Sequence, residues 1–205
     1  DYGISNNPES LAVTPNNMFF TDVRRGKVLV LNDNEGARAI SDAGMKDFFA
    51  DLMASNVHSA IGSYDARKSE YNVSIGTKYG DQNQLSNQTT ISYSEIAKGW
   101  SSFKDFKVDV TPTDGATVVK GLEQGISLNN NYFTFFDGHI WKHHINETRN
   151  NFYGTQNTSD VTFLFNENPQ DVKSFSTIDY EGSAARITNW DDAGFGNQAG
   201  ATDGI

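Results

Sequence analysis

The chain has 205 residues and a formal net charge of −10, because 26 acidic side chains outweigh 16 basic ones, and it contains no cysteine. This length can bury a sizeable core without disulfides or metals, and the lack of cysteine excludes disulfide frameworks, thiolate metal sites and cysteine nucleophiles. The acidic balance disfavours a nucleic-acid-binding surface, and no apolar run reaches the roughly 18 residues of a membrane-spanning helix.

The first predicted unit spans residues 1–55 and begins with a β region, residues 10–41. Apolar alternation between turn residues predicts four strands in it, at residues 11–14, 17–22, 27–31 and 37–41. A helix over residues 41–55 follows, with Ser41 as its N-cap. Its apolar side chains recur at the helical spacing i, i+3, i+4, i+7 and i+8, at Met45, Phe48, Phe49, Leu52 and Met53.

This apolar stripe is predicted to pack against the sheets, and a partner-binding face is the alternative. If the stripe is buried, truncating Phe48 or Leu52 to alanine costs roughly 2 to 5 kcal/mol.

The second unit, residues 56–110, carries the clearest strand pattern in the chain. Four runs with apolar or aromatic alternate positions predict antiparallel strands, at residues 59–65, 70–76, 89–95 and 99–106. The Gln- and Asn-rich residues 79–88 predict a loop between the second and third strands. A second polar connection, residues 110–127, separates this unit from the last one.

The third unit completes a predicted all-β fold: an antiparallel, propeller-like arc of about three four-stranded units with one inserted helix. Together with the polar connection before it, this unit spans residues 111–183, and its strands are predicted at 132–136, 139–145, 161–166 and 173–181. Residues 184–205 predict a flexible Gly- and Ala-rich tail. Three units cannot close a propeller ring, so we expect exposed edges, completion by a longer chain or by neighbouring subunits, and self-association.

A histidine cluster is the first candidate for chemistry. His139, His143 and His144 lie close in sequence, near Asp137 and Glu147. On one strand the first two would face one side and the third the other, so at most two imidazoles converge. Polar surface or hydrogen bonding between sheets is therefore favoured over a metal site.

Carboxylates near strand ends are the second candidate, because glycoside hydrolysis needs two of them at a defined separation. They are Asp65, Glu70, Glu95, Asp137, Glu167, Asp179 and Glu181. Nothing in the sequence pairs them, and phosphate-binding, nucleophile-elbow and zinc-protease motifs are absent. The chain is therefore expected not to be an enzyme, with no catalytic, cofactor-binding or metal-binding residues and no cofactor.

Aromatic residues make up 12% of the chain, and many fall within the predicted strands. Consecutive strand residues face opposite sides, so some of these rings must point outward. Packing between sheets accounts for most of them, and a carbohydrate- or protein-binding surface is the alternative.

Five longer phrases carry a resemblance to a known family. They are GKVLVLNDNEGARAISDAGMKDFF (26–49), GSYDARKSEYNVSI (62–75), ISYSEIAKGWSSFKDF (91–106), NNFYG (150–154) and VTFLFNENPQDVKSFSTIDYEGS (161–183). In this order they resemble large virion structural proteins of tailed bacteriophages, including phages of marine and gut bacteria. The family supplies no catalytic residues.

The resemblance implies a structural component of the virion, in the tail or tail-end apparatus. Its expected partners are other virion proteins and copies of itself. The alternative is a carbohydrate-binding module of an adhesin or receptor-binding protein, with a host surface glycan as partner. Flat, aromatic-rich β units suit large protein interfaces and so agree with the first reading.

Overall fold

The fold is seen in a computed structural model that describes residues 2–4, 6–78, 85–111, 118–162 and 170–174. The chain divides into two compact units, Asp1–Asp160 and Val161–Ile205. Residues 161–162 and 170–174, the described part of the second unit, form neither helix nor strand. Everything below concerns the first unit.

The first unit is mostly antiparallel β-sheet, and one α-helix occurs among the described residues, as predicted. No described helix is long and apolar enough to cross a membrane. The described sheets contain four, six, three and two strands, and none of them is closed.

The first sheet contains four antiparallel strands in chain order, which confirms the predicted strands of this region. Its strands are β1 (Ala12–Val13), β2 (Met18–Asp22), β3 (Lys27–Asn32) and β4 (Gly36–Ala39). The 3-10 turn Val23–Arg25 joins β2 to β3, and the Asp22 carboxylate accepts a hydrogen bond from the Arg25 backbone N–H at 3.2 Å. Gly26 closes this turn with φ of 62°, a left-handed conformation that favours glycine.

The helix is α1 (Lys46–Ala54), and its predicted start at Ser41 is wrong. Ser41 instead lies in a separate 3-10 turn, Ile40–Asp42, and its side chain is buried. Gly44 follows with φ of 80°, outside the right-handed helical region, so the helix cannot begin before Met45.

The apolar stripe of α1 faces the core, as predicted. Phe49 and Met53 are buried, while Phe48 and Leu52 are half-buried and pack against the same core cluster. The Phe49 ring lies 4.6 Å from the Trp100 ring, centroid to centroid. The helix is therefore docked on the middle sheet through its aromatic face.

The middle sheet contains the four strands predicted for the second unit and two more. Its strands are β5 (Val57–Asp65), β6 (Glu70–Lys78), β7 (Leu85–Ser94), β8 (Gly99–Lys104), β9 (Lys107–Val110) and β10 (Val118–Gly121). β5, β6, β7, β10 and β9 are neighbours in this order, and β8 also pairs with β7. The predicted loop at 79–88 is wrong at its end, because β7 begins at Leu85.

Strand β7 pairs with two different strands along one of its edges. Its second half, Thr90 to Ser94, pairs with β8, whereas Leu85 at its start pairs with Val119 of β10. The interpretation of residues 110–127 as a polar connection is wrong for residues 118–121, which form β10, and for residues 124–127, which lie in the first strand of the third sheet. Residues 112–117, within this stretch, lie outside the described residues.

The third sheet contains β11 (Gln124–Leu128), β12 (Asn131–Phe136) and β13 (His139–Lys142), and a hairpin of β14 (Asn151–Phe152) and β15 (Thr155–Gln156) follows. The strand predicted at 139–145 ends at Lys142, and His144 has φ of 63°. The strands predicted at 161–166 and 173–181 fall largely outside the described residues, and the predicted tail at 184–205 does so entirely.

Strand β6 separates two buried layers. Tyr71, Val73 and Ile75 point into the main apolar core, where the ring of Phe19 stacks on Tyr71 at 4.8 Å. Asn72 and Ser74 point to the opposite side and are also fully buried. One face of the middle sheet is thus apolar and the other is polar.

Gly62 of β5 lets the 3-10 turn Pro8–Ser10 approach the middle sheet. A Cβ atom at Gly62 would lie 1.9 Å from the backbone oxygen of Ser10, which already accepts a hydrogen bond from the Tyr71 hydroxyl at 2.7 Å. This site has no room for a methyl group because both neighbouring atoms are held in place.

We predict that Gly62→Ala destabilises the fold by about 1 to 3 kcal/mol or more, since the turn or the strand must move to relieve the contact. Gly99→Ala is the matched control, because the nearest atom to a Cβ there is 3.8 Å away. Urea denaturation of both variants measures the difference. Equal stabilities would contradict the close approach at Gly62.

We also predict that Phe49→Ala lowers the free energy of unfolding by about 3 to 5 kcal/mol, because it removes a fully buried ring and leaves a cavity. Asp51→Ala, on the exposed side of the same helix, should change it by about 0.5 kcal/mol or less. Thermal or urea unfolding tests this, and similar losses in both variants would show that the stripe is not the docking face.

Candidate functional site

The polar face of the middle sheet carries a chain of side-chain hydrogen bonds. The Ser92 hydroxyl donates to the Asn72 carbonyl oxygen at 2.6 Å, and the hydroxyls of Ser74 and Thr90 lie 2.7 Å apart. All four side chains are buried. Buried polar groups cost free energy unless they are paired, so these bonds hold the strands in one register.

Tyr132 of β12 connects this face to the third sheet. Its hydroxyl lies 2.6 Å from the Ser63 hydroxyl and accepts a longer hydrogen bond, 3.4 Å, from the Asn72 amide. Burial raises the pKa of Tyr132, which keeps the phenol neutral. The ring itself packs with Ile61, Phe106 and other side chains of a second apolar cluster.

Ser127 of β11 makes a second connection. Its hydroxyl accepts from the Ala66 N–H at 3.0 Å and donates to the Tyr64 carbonyl at 2.7 Å. The end of β5 and the start of its turn are therefore fixed against the third sheet on the side where a cleft opens.

The cleft has a volume of about 660 Å³ and is formed by the β5–β6 turn, the end of β8, β12, β13 and the chain from His143 to Ser159. Its aromatic lining consists of Phe106, Tyr132, Trp141, Phe152 and Tyr153. Its basic lining consists of Lys68, Lys104, Lys142, Arg149, His143 and His144. Amide side chains come from Asn146, Asn150 and Asn151. A cleft of this size can hold a small ligand.

Two polar contacts to carboxylates lie at the base of the cleft. The His144 Nε2 atom is 2.7 Å from the carboxylate of Asp65, which is 1% exposed. The Lys104 ammonium donates to the Glu70 carboxylate at 2.7 Å and to the side-chain amide oxygen of Asn72 at 2.8 Å. Burial lowers the pKa of Lys104, and the Glu70 carboxylate opposes that shift.

His143 is held among rings and hydroxyls rather than charges. Its Nε2 atom lies 2.7 Å from the Thr134 hydroxyl, and its ring lies about 5 Å from the rings of Phe106 and Tyr132. Burial lowers the pKa of His143 to about 4, with repulsion from His144 as a smaller cause. The imidazole is therefore neutral at physiological pH.

The three histidines considered as metal ligands have three different environments. His139 is exposed and contacts the backbone oxygen of Asp137, whereas His143 and His144 contact Thr134 and Asp65. Among the described residues no three His, Asp or Glu side chains are grouped so that they could hold a metal ion. Of the two roles predicted for them, an exposed polar position is seen for His139, and a hydrogen bond between sheets is seen for His144, which joins the chain after β13 to the end of β5.

The structure brings together two of the seven candidate carboxylates. Asp65 and Glu70 are directly opposite each other on β5 and β6; Asp65 contacts the His144 imidazole, and Glu70 is ion-paired with Lys104. Glu95 accepts hydrogen bonds from Tyr64 and Asn17, and Asp137 pairs with Lys120. Glu167, Asp179 and Glu181 lie outside the described residues.

Sequence reasoning missed the cleft because its lining comes from separate parts of the chain. The hairpin β14–β15 places Tyr153, φ 53°, at its turn, and the Tyr153 ring stacks on Phe136 at 4.0 Å. The signal available in the sequence was the Asn-Asn-Phe-Tyr-Gly run, which combines turn residues with aromatic ones.

Comparison with known families gives one finding for this region. Residues 147–200 match the model of the crassvirus muzzle protein C-terminal domain. The matched range is a minority of the chain, begins in the loop that lines the cleft, and continues into residues that the structure does not describe. A search of curated proteins finds no match. The family match indicates a phage structural protein.

The environment of His143 predicts how stability depends on pH. The folded protein holds this imidazole neutral down to a pKa of about 4, whereas the unfolded chain protonates it near the ordinary value of 6.5. We therefore expect His143 to reduce the free energy of unfolding by up to about 3 kcal/mol as the pH falls from 6.5 to 4.

Urea denaturation across this pH range measures the effect, and His143→Gln should flatten the slope in that window. His139→Gln is the matched control, since it removes an imidazole from an exposed position of β13. A slope that changes equally in the two variants would contradict the assignment to His143.

Proposed function

We propose that the chain is a structural component of a bacteriophage virion, in the tail or tail-end apparatus, and that it acts through protein–protein assembly rather than catalysis. The match of residues 147–200 to a crassvirus muzzle protein domain carries this proposal. The five phrases that resemble tailed-phage virion proteins support it over a longer part of the chain. Its partners are other virion proteins and further copies of the chain.

An exposed apolar face on the third sheet supports a role in assembly. Ile126, Leu128 and Ile140 are 51%, 66% and 67% exposed. Ile126 is opposite Phe133, and Ile140 is opposite Phe135, so the pairing puts all five side chains on one face of this sheet. We call this set the outer patch. Contiguous apolar surface of this kind is typical of protein interfaces.

The first sheet presents a second apolar row at its edge. Val13, Met18 and Leu31 are opposite one another on β1, β2 and β3, and all three are exposed. β1 has only β2 as a neighbour among the described strands, so its other side is an unpaired edge. Such edges pair with other chains unless they are covered.

The propeller-like arc stays a prediction within this proposal. A phage tail component with several open sheets would complete its layers with neighbouring subunits, as expected for units too few to close a ring. The absence of catalysis is likewise proposed. It is supported by the contacts with His144 and Lys104 that already engage Asp65 and Glu70, the two carboxylates that lie together.

Self-association tests the assembly role. We predict that the chain forms oligomers at micromolar concentration, and that Leu128→Lys with Ile140→Lys weakens this association by roughly tenfold or more, because two charges must then be buried at the interface. Sedimentation equilibrium measures the change.

Ile96→Lys is the matched control, since Ile96 is 80% exposed in the β7–β8 turn and lies apart from the outer patch. A chain that stays monomeric, or a loss of association equal to that of the control, would contradict assembly through the outer patch. Cryo-electron microscopy of intact particles tests the tail location, and finding the chain in the capsid shell would overturn it.

A further inference from the structure

The cleft has a charge opposite to that of the whole chain. Among its described lining residues Asp65 is the only acid, and that carboxylate is already paired with His144. Lys68 and Arg149 also line it, are exposed, and form no ion pair with a described residue. Two uncompensated cations in one cleft of a chain with net charge −10 favour an anion there.

The rest of the lining points to the kind of anion. Trp141 is 37% exposed and stands edge-on to Tyr153, with ring centroids 5.5 Å apart. Asparagine side chains and hydroxyls, which both donate and accept hydrogen bonds, complete the lining. An exposed aromatic ring beside such groups suits a hydroxyl-bearing sugar ring with an apolar face.

The charge of the whole chain limits the size of the ligand. A long polyanion would extend from the cleft over an acidic surface and be repelled by it. A short anionic ligand that fits within about 660 Å³ is not subject to that repulsion. This argument disfavours nucleic acid and favours a mono- to trisaccharide.

We propose that the cleft binds an acidic saccharide, with its carboxylate held by Arg149 and a sugar ring against Trp141. Arginine binds carboxylates in a bidentate geometry, which makes Arg149 the main anchor of the charge. The site does not depend on the assembly role: Trp141 is opposite Thr134, on the inner face of the third sheet, whereas Ile140 belongs to the outer patch.

Calorimetry of the full chain with matched sugar pairs tests this proposal. The pairs are trigalacturonate with its methyl ester, and sialyllactose with lactose, so that each pair differs in the carboxylate charge. We expect at least one acidic sugar to bind, and its neutral partner to bind roughly tenfold more weakly or not at all. Failure of both acidic sugars to bind at millimolar concentration, or equal binding of the neutral partner, would overturn the proposal.

Variants locate the site. Arg149→Gln and Trp141→Ala should each weaken binding by roughly tenfold while the melting temperature stays close to that of the unchanged chain, because both side chains are exposed. Arg24→Gln, which removes an exposed cation from the first sheet, is the control. If the control weakens binding as much, the effect comes from net charge and the cleft is not the site.

Triglutamate separates an acidic sugar from an acidic peptide. It carries its carboxylates without a sugar ring, so it should bind more weakly than the acidic sugar and should lose little affinity in Trp141→Ala. Binding as tight as that of the sugar would overturn the saccharide assignment and indicate an acidic peptide segment in its place.

Discussion

The burial of strand β6 on both faces is the constraint on which the rest of the structure depends. Side chains that alternate along a strand must then satisfy two different buried environments. Tyr71, Val73 and Ile75 meet the first sheet and α1, whereas Asn72 and Ser74 meet polar neighbours on β5, β7 and β12. A shift of one residue in register would put hydroxyls and amides into the apolar core, at a cost of several kcal/mol.

The position of the candidate site depends on how the third sheet covers the polar face of the middle sheet. Tyr132 covers the polar layer. Its hydroxyl contacts the Ser63 hydroxyl of that layer, and its ring belongs to a second apolar cluster. This contact and the hydrogen bonds of Ser127 hold the third sheet in place, so its inner face packs against the middle sheet. Its outer face remains exposed. One sheet thus offers a polar, cationic cleft on one side and an apolar surface on the other. These suit two different kinds of partner, a small anion and another protein.

Much of the fold could be predicted from the sequence where alternation is strict and turns are marked by Gly, Asn or Asp. The strands of the first and middle sheets satisfy both conditions. The predicted helix start at Ser41 is wrong because Ser41 is a good N-cap residue by type. Only the structure shows that Gly44, between Ser41 and the helix, has a left-handed backbone conformation. Strands β10 and β11 were missed because both are short and contain glycine and polar residues, as a loop would. For the site, the histidines could be named but their partners could not, since Asp65 and Thr134 become neighbours of His144 and His143 only after the sheets pack.

The position of β6 also determines how its backbone exchanges hydrogen with water. It is paired with β5 on one side and with β7 on the other over nearly its whole length, so its amide hydrogens are shielded by both ladders and both buried layers. Amides in such a position exchange only when the fold opens globally, and their exchange rate then measures the free energy of that opening. In an assembled particle the same amides would exchange more slowly, because neighbouring subunits raise the free energy of opening. The increase in that free energy equals the stabilisation that the neighbours provide. One strand in the middle of the molecule thus provides an internal measure of assembly energy, independent of where on the surface the partners bind.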